Sequence, residues 1–251
     1  MNIIEIIKIG TVMILGSFIQ GSSGFGFGLF AVPLLLFWGF SLPVSVIIVV
    51  IGSALQKIFA IAALWRAADW KEITPYIIAG LISLPAGVFV MYNISSLGQA
   101  TVKQVIGACV FLLLILQWKG VIKAKEAIHR GWGYLAGFLS GFFNGLANIG
   151  GPPLVLWILA QDWPNKKMRV TPIAFSIIFV PFQLIFMFLA FKSSVLLNPV
   201  FKALIATPFI FLGSWAGLKV GGKISQKHLR VYMGLLLLAI ALTSIIGPFL
   251  N

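Results

Sequence analysis

The sequence predicts an all-α polytopic membrane protein made of two inverted repeats, each a broken, re-entrant helical hairpin followed by three transmembrane helices. Three observations predict it. Of 251 residues, 60% are hydrophobic and only 9% charged, with a mean hydropathy of +1.08, which is far from the composition of a soluble domain. Apolar stretches long enough to cross a hydrocarbon core of roughly 30 Å recur along the whole chain, so one membrane domain accounts for all of it. Two of those stretches are too long for one span and carry glycines at their middle.

Hydropathy places apolar segments at about 9–40, 43–65, 73–92, 103–118, 131–160, 168–191, 199–218 and 229–249. The opening "MNIIEIIKIG" holds Glu5 and Lys8 with no small-residue cleavage site after it, so no removable leader is expected. The first and fifth segments run for about thirty residues, whereas a tilted spanning helix needs roughly 20 to 25. Their centres read "GSSGFGFGLFAVP" (21–33) and "NIGGPP" (148–153), and such glycine-rich sequence is where a helix breaks. The remaining six segments have the length of single spans. The one cysteine, Cys109, lies in the fourth segment; it excludes a disulfide within the chain and a CxxC zinc site, and reads as small apolar filler.

A net charge of +13 raises the question of a nucleic-acid partner, but the basic residues sit in short loops between apolar spans rather than on one surface, so none is expected. Topology explains them. If all eight segments cross fully, the loop Lys and Arg divide almost equally between the two sides. If the first and fifth segments are hairpins that return to the face they entered, Arg66, Lys71, Lys119, Lys123, Lys125, Arg130, Lys166, Lys167, Arg169, Lys219, Lys223, Lys227 and Arg230 share one side. Only Lys8, Lys103, Lys192 and Lys202 fall on the other. The positive-inside rule therefore favours hairpins, in the cell inner membrane, with both termini outside. Trp65, Trp70, Trp118, Trp132 and Trp163 flank the predicted cytoplasmic loops, as an interfacial belt requires.

The two long segments match without gaps at an offset of 120: Phe18 with Phe138, Gly21 with Gly141, Pro33 with Pro153, Leu34 with Leu154, Leu36 with Leu156. "QKIF" (56–59) falls on "QLIF" (183–186) at an offset of 127, and Ala86-Gly87 on Ala216-Gly217 at 130. An internal duplication follows, with residues 1–124 as the first repeat and 125–251 as the second. One hairpin plus three spans is an odd number of crossings, so the second repeat is inverted. Inverted repeats whose broken helices meet near the midplane are the plan of many secondary transporters.

Backbone that leaves helical geometry inside a bilayer must be covered by protein or line a wet cavity, so the breaks mark the candidate site. The helices that resume after "SSGFGFG" (22–28) and "NIGG" (148–151) would present free N–H groups and a positive dipole end, which favours an anion. Pro152 and Pro153 suit a first turn after Gly151, whereas Pro33 lies too deep for one. The substrate-binding candidates here are Ser22, Ser23, Gly24, Phe25, Gly26, Gly28, Asn144, Asn148, Gly150 and Gly151, the serines and asparagines supplying hydrogen bonds. Lys57 is an ionisable residue deep in the second span, with Gln56 beside it and Gln183 at the matching place in the other repeat. It either attracts a negative cargo or snorkels to the interface, and the glutamines either face the path or tie helices together. Two further series, Gly133, Gly137, Gly141, Gly145 and Gly213, Gly217, Gly221, recur every four residues and read as helix packing.

All five carboxylates (Glu5, Asp69, Glu72, Glu126, Asp162) and both histidines (His129, His228) lie in loops or near span ends. That disfavours a proton-coupled pump, offers no metal-ligand cluster and no nucleophile paired with His in a span, and leaves an enzyme as the weakest class. No cofactor is expected. The partners expected are a small anion and membrane lipid, with a homodimer left open.

At the two broken stretches, "GSSGFGFGLFAVPLLL" (21–36) and "GFFNGLANIGGPPLVLW" (141–157), the sequence resembles the sulfite exporter TauE/SafE family. Members are similar in length and carry a glycine-rich stretch followed by a proline in each half. The resemblance covers the whole chain and implicates Gly24, Gly26, Gly28, Gly150 and Gly151. It implies a permease that moves a small sulfur-containing anion, sulfite or a sulfonate, by alternating access. Phe25 and Phe27, interleaved with the first set of glycines, favour an anion with an organic body. An anion channel and a non-transporting scaffold or assembly factor are the alternatives.

Overall fold

A computed structural model of the chain describes residues 2–64, 68–119, 129–161 and 163–221, with Leu235, Leu238 and Leu242. Among them the regular elements are helices: α1 (Ile3–Ser23), α2 (Phe27–Phe37), α3 (Leu42–Leu64), α4 (Trp70–Ser95), α5 (Gln99–Lys119), α6 (Arg130–Ala147), α7 (Gly151–Leu159), α8 (Asn165–Ala190), α9 (Ser193–Ile205) and α10 (Thr207–Gly221). The predicted repeat boundary near 125 and, those three leucines apart, the eighth segment lie outside the described residues. Among the described residues four helices are long and apolar enough to cross a membrane, and α9 with α10, bent by 53°, makes a fifth where the pair counts as one span. The sequence led to one straight span at 199–218 there. The restart follows from Pro208, which has no N–H for the Leu204 carbonyl; the Ala206 carbonyl accepts from Phe209 and Ile210 instead, at 3.1 and 3.3 Å.

Burial has the polarity of a multi-pass membrane protein. Ile82, Phe89, Leu189 and Trp215 face outward, while Gln56, Lys57, Asn144 and Gln183 are buried. Lipid accepts the first set, and only protein partners or enclosed water satisfy the second.

Both long segments break where the glycines lie. Gly24 closes α1 in the left-handed region (φ 86°), donating its N–H to Gln20 at 2.7 Å, and Gly26 (φ 99°) precedes α2. Asn148 (φ 54°) closes α6, and Pro152 and Pro153 occupy the first turn of α7 as expected. Each segment then doubles back. The Lys8 ammonium near the start of α1 reaches the Trp38 carbonyl after α2 at 3.4 Å. Tyr134 near the start of α6 and Trp157 near the end of α7 both meet the ring of Tyr76, with centroids 5.2 and 4.7 Å away.

Helix α4 runs between the two ends of the assembly. Its beginning, with Tyr76, lies at the open end of the α6–α7 hairpin. Near its other end Tyr92 stacks edge-on with Phe191, and Gln99 just beyond donates to the Gly39 carbonyl at 3.0 Å, where the α1–α2 hairpin opens. The open ends of the two hairpins therefore lie toward opposite ends of α4, and their tips meet between them. A Cβ on Gly28 would lie 1.9 Å from the Asn148 carbonyl oxygen, so this approach requires glycine.

The tightest helix pairs join the two halves of the chain. Against α4, Cβ atoms on Gly137, Gly141 and Gly145 would fall 2.2, 1.9 and 2.2 Å from the carbonyl oxygens of Tyr76, Gly80 and Leu84. Against α1, those on Gly213 and Gly217 of α10 would fall 2.3 and 2.4 Å from the carbonyls of Ile14 and Phe18. These ladders pack helices, as their spacing indicates.

Ion pairs fasten the ends. Lys167 bridges Asp69 and Glu72, its ammonium 4.4 Å from the Trp163 ring centroid, and Lys202 pairs with Glu5 at the opposite end. The Glu72 amide, donating to Asp69 at 3.2 Å, and then the Lys167 ammonium hold the Asp69 carboxyl below the usual carboxylate range. A depressed carboxyl stabilises the fold above its unfolded value of about 4, and the contribution disappears as pH falls through the lowered value.

Two stability outcomes follow. Gly141→Ala forces a methyl onto the Gly80 carbonyl and lowers thermal stability in detergent by about 1–3 kcal/mol, whereas Gly98→Ala, with nothing within 4 Å, leaves it unchanged. Asp69→Asn lowers the melting temperature slightly at pH 7, the effect of an exposed pair, and the gap from the native protein closes as melting is followed below about pH 4.

Candidate functional site

Between the hairpin tips lies a cavity of about 50 Å³. The first hairpin contributes Gln20 and residues 24–28, α3 contributes Ser53 and Lys57, the second hairpin Ser140, Asn144, Asn148, Gly151 and Leu154, and α8 Pro172, Phe175 and Ser176. Four elements distant in sequence converge because the glycine contacts let the two tips touch.

Lys57 is 4% exposed and lines this cavity. Its ammonium donates to the Ser53 hydroxyl, one turn earlier on α3, at 3.3 Å. Asn148 Nδ2 at the second break lies 3.4 Å from the same oxygen, and that hydroxyl donates to the Val50 carbonyl at 3.2 Å. Among the described residues the ion pairs are those at the two ends of the assembly, and no carboxylate lines the cavity.

The two resumed helices are unequal as anion sites. Gly26 precedes α2 without a side-chain cap, leaving the Phe27 and Gly28 amides as first-turn donors on residues that line the cavity. In α7, Pro152 and Pro153 have no N–H, so its first turn offers fewer donors than the sequence pattern led us to expect.

The structure brings Gly24, Phe25, Gly26, Gly28, Lys57, Asn144, Asn148 and Gly151 together on the cavity wall and leaves the other predicted residues off it. Ser22 spends its hydroxyl on the Phe18 and Ile19 carbonyls, at 2.8 and 3.0 Å. Ser23 donates to Ile19 at 2.8 Å and to Phe25 at 2.7 Å, tying the break itself. Gly150 is closed in by the Ser140 carbonyl, 2.0 Å from where a Cβ would sit. Gln56 donates to the Ser17 carbonyl at 2.9 Å, with its Oε1 buried and unpartnered, and Gln183 donates to the Asn144 carbonyl at 2.6 Å. Both glutamines tie helices together.

Sequence reasoning named Phe27 only for its apolar bulk beside the break, and passed over Gln20, Ser53, Ser140, Leu154, Pro172, Phe175 and Ser176. Helical spacing held a signal for three of them, since Gln20, Ser53 and Ser140 each lie four residues before a predicted member, Gly24, Lys57 and Asn144. Nothing local marks the α8 residues, which reach the cavity only through tertiary packing.

The family model described as Sulfite exporter TauE/SafE matches residues 9–244. A protein of Cupriavidus necator named "Probable sulfite/organosulfonate exporter TauE" is 22% identical over 207 residues, covering 80% of this chain and 78% of its own. No solved structure matches the chain. The matched stretch contains both hairpins, every wall of the cavity and the spans around them, and on that extent this chain belongs to the sulfite exporter TauE/SafE family of membrane transporters.

Proposed function

We propose that this chain is a permease that carries a sulfur oxyanion, sulfite or a small sulfonate, through the cavity between the hairpin tips. One observation carries the reading: Lys57 is buried there with a hydroxyl and no carboxylate beside it. A buried ammonium without a counter-charge is costly, and an anion in the cavity supplies the missing partner. The α2 amides and Asn148 add neutral donors for its oxygens. Because the partners other than Lys57 are neutral, the anion is held firmly enough to enter and loosely enough to leave. The name of the Cupriavidus necator relative supports sulfur oxyanions as the cargo.

Alternating access about this site is the mechanism. The opposed hairpins support reading residues 1–124 and 125–251 as inverted repeats. The interlocked helices change which bodies move: α1–α2 travels with α9–α10, and α6–α7 with α4, rather than each repeat as a unit. Among the described residues no Asp, Glu or His lines the cavity, so the reading needs no proton carrier; the inside-negative potential drives anions outward at about 2.3 kcal/mol per charge per 100 mV. The loop charges support an inner-membrane orientation with both termini outside.

In proteoliposomes, labelled sulfite shows saturable counterflow; Lys57→Ala lowers kcat/KM at least about 10-fold, roughly 1.4 kcal/mol, and Lys57→Arg less. Flux that does not saturate and shows no counterflow identifies a channel, and no flux of sulfite or a sulfonate leaves a scaffold. For orientation, in intact cells of a Cys109→Ala background, Asn2→Cys is labelled by a membrane-impermeant maleimide and Lys71→Cys is not; the reverse pattern places the termini inside.

A further inference from the structure

We propose that Phe175 sets the size of the cargo, so that the site takes sulfite or a one-carbon sulfonate and turns away sulfonates with three or more carbons. This rests on the transport reading above. The cavity, at about 50 Å³, is a third of the roughly 150 Å³ that admits a benzene molecule to an apolar protein cavity. Lys57, Ser53 and Asn148 claim the polar side for the oxyanion, so any organic body must displace an apolar wall.

Those walls differ in how far they can yield. Phe25 stands between Gly24 and Gly26, both in the left-handed region, on the short turn between α1 and α2 rather than within a helix. Phe175 has no such freedom. It is fully buried within the continuous helix α8, and its ring meets Phe179 edge-on at 6.0 Å. Phe179 is backed by α4: a Cβ on Gly80 would lie 2.4 Å from its ring tip. A ring held by a second ring, itself seated on helix backbone, cannot retract. Phe175 therefore holds the space that an organic body would need on the α8 side of the cavity.

The test is competition against labelled sulfite counterflow by methanesulfonate, ethanesulfonate and propanesulfonate, in the native protein, Phe175→Leu and Phe175→Ala. Methanesulfonate competes in the native protein and propanesulfonate at least about 10-fold less well; the propanesulfonate-to-sulfite ratio rises at least about 10-fold in Phe175→Ala and by less in Phe175→Leu. Equal competition along the series in the native protein, or an unchanged ratio in both variants when they purify monodisperse, overturns the proposal. If neither variant purifies, the native series alone decides. Absence of sulfite flux in the native protein overturns the transport reading instead, and the size filter with it.

Discussion

A helix that stops inside a hydrocarbon layer leaves N–H and carbonyl groups that lipid cannot satisfy, and the arrangement of this protein follows from meeting that requirement twice. At the second break the Asn148 amide returns to the Asn144 carbonyl at 2.8 Å and the Ile149 amide to Phe143 at 3.1 Å, closing the end of α6 on itself. At the first, Gly24 and the Ser23 hydroxyl do the same work. A glutamine from the third helix of each half then reaches a carbonyl of the hairpin's first limb, Gln56 to Ser17 and Gln183 to Asn144. The breaks are thus satisfied mainly by their own chain, and what is left over, the amide end of α2, faces the cavity.

Such tips must also be brought together, and glycine does this by removing the side chain from the contact. The helix that begins each hairpin lies with its backbone against a helix from the other half, α1 on α10 and α6 on α4, close enough that any Cβ would enter a carbonyl. Contacts of that kind are rigid, because dispersion and packing are lost steeply with separation. Among the described residues such contacts are absent at the glycine-flanked Phe25 of the first tip and at the bend between α9 and α10.

Charge is distributed by the same logic. Lys167 and Lys202 have carboxylates beside them at the ends of the assembly, where water lowers the cost of burial and the pairs contribute little. Lys57 is the buried exception, with Ser53 and Asn148 as its surroundings. The Ser53 hydroxyl therefore joins α3 to the second break, and one oxygen links the cation to the second hairpin.

Much of this was determined by sequence alone. The all-helical membrane character and the interruption of two apolar segments at their glycines follow from length, hydropathy and composition, because each rests on a local cost that lipid imposes on single residues or short runs. The packing role of the glycine ladders was readable too, from spacing. Tertiary structure decided the rest. Pro208 lies at the bend in the seventh apolar segment, and Gln56 and Gln183 turn to helix carbonyls instead of the cavity. Phe175, Ser176 and Pro172 join the site from a helix with no local mark of it. A hydropathy pattern records what each residue costs in lipid, but which polar atom meets which, and how much space remains between them, depends on how α4 and α10 of opposite halves draw the two tips together.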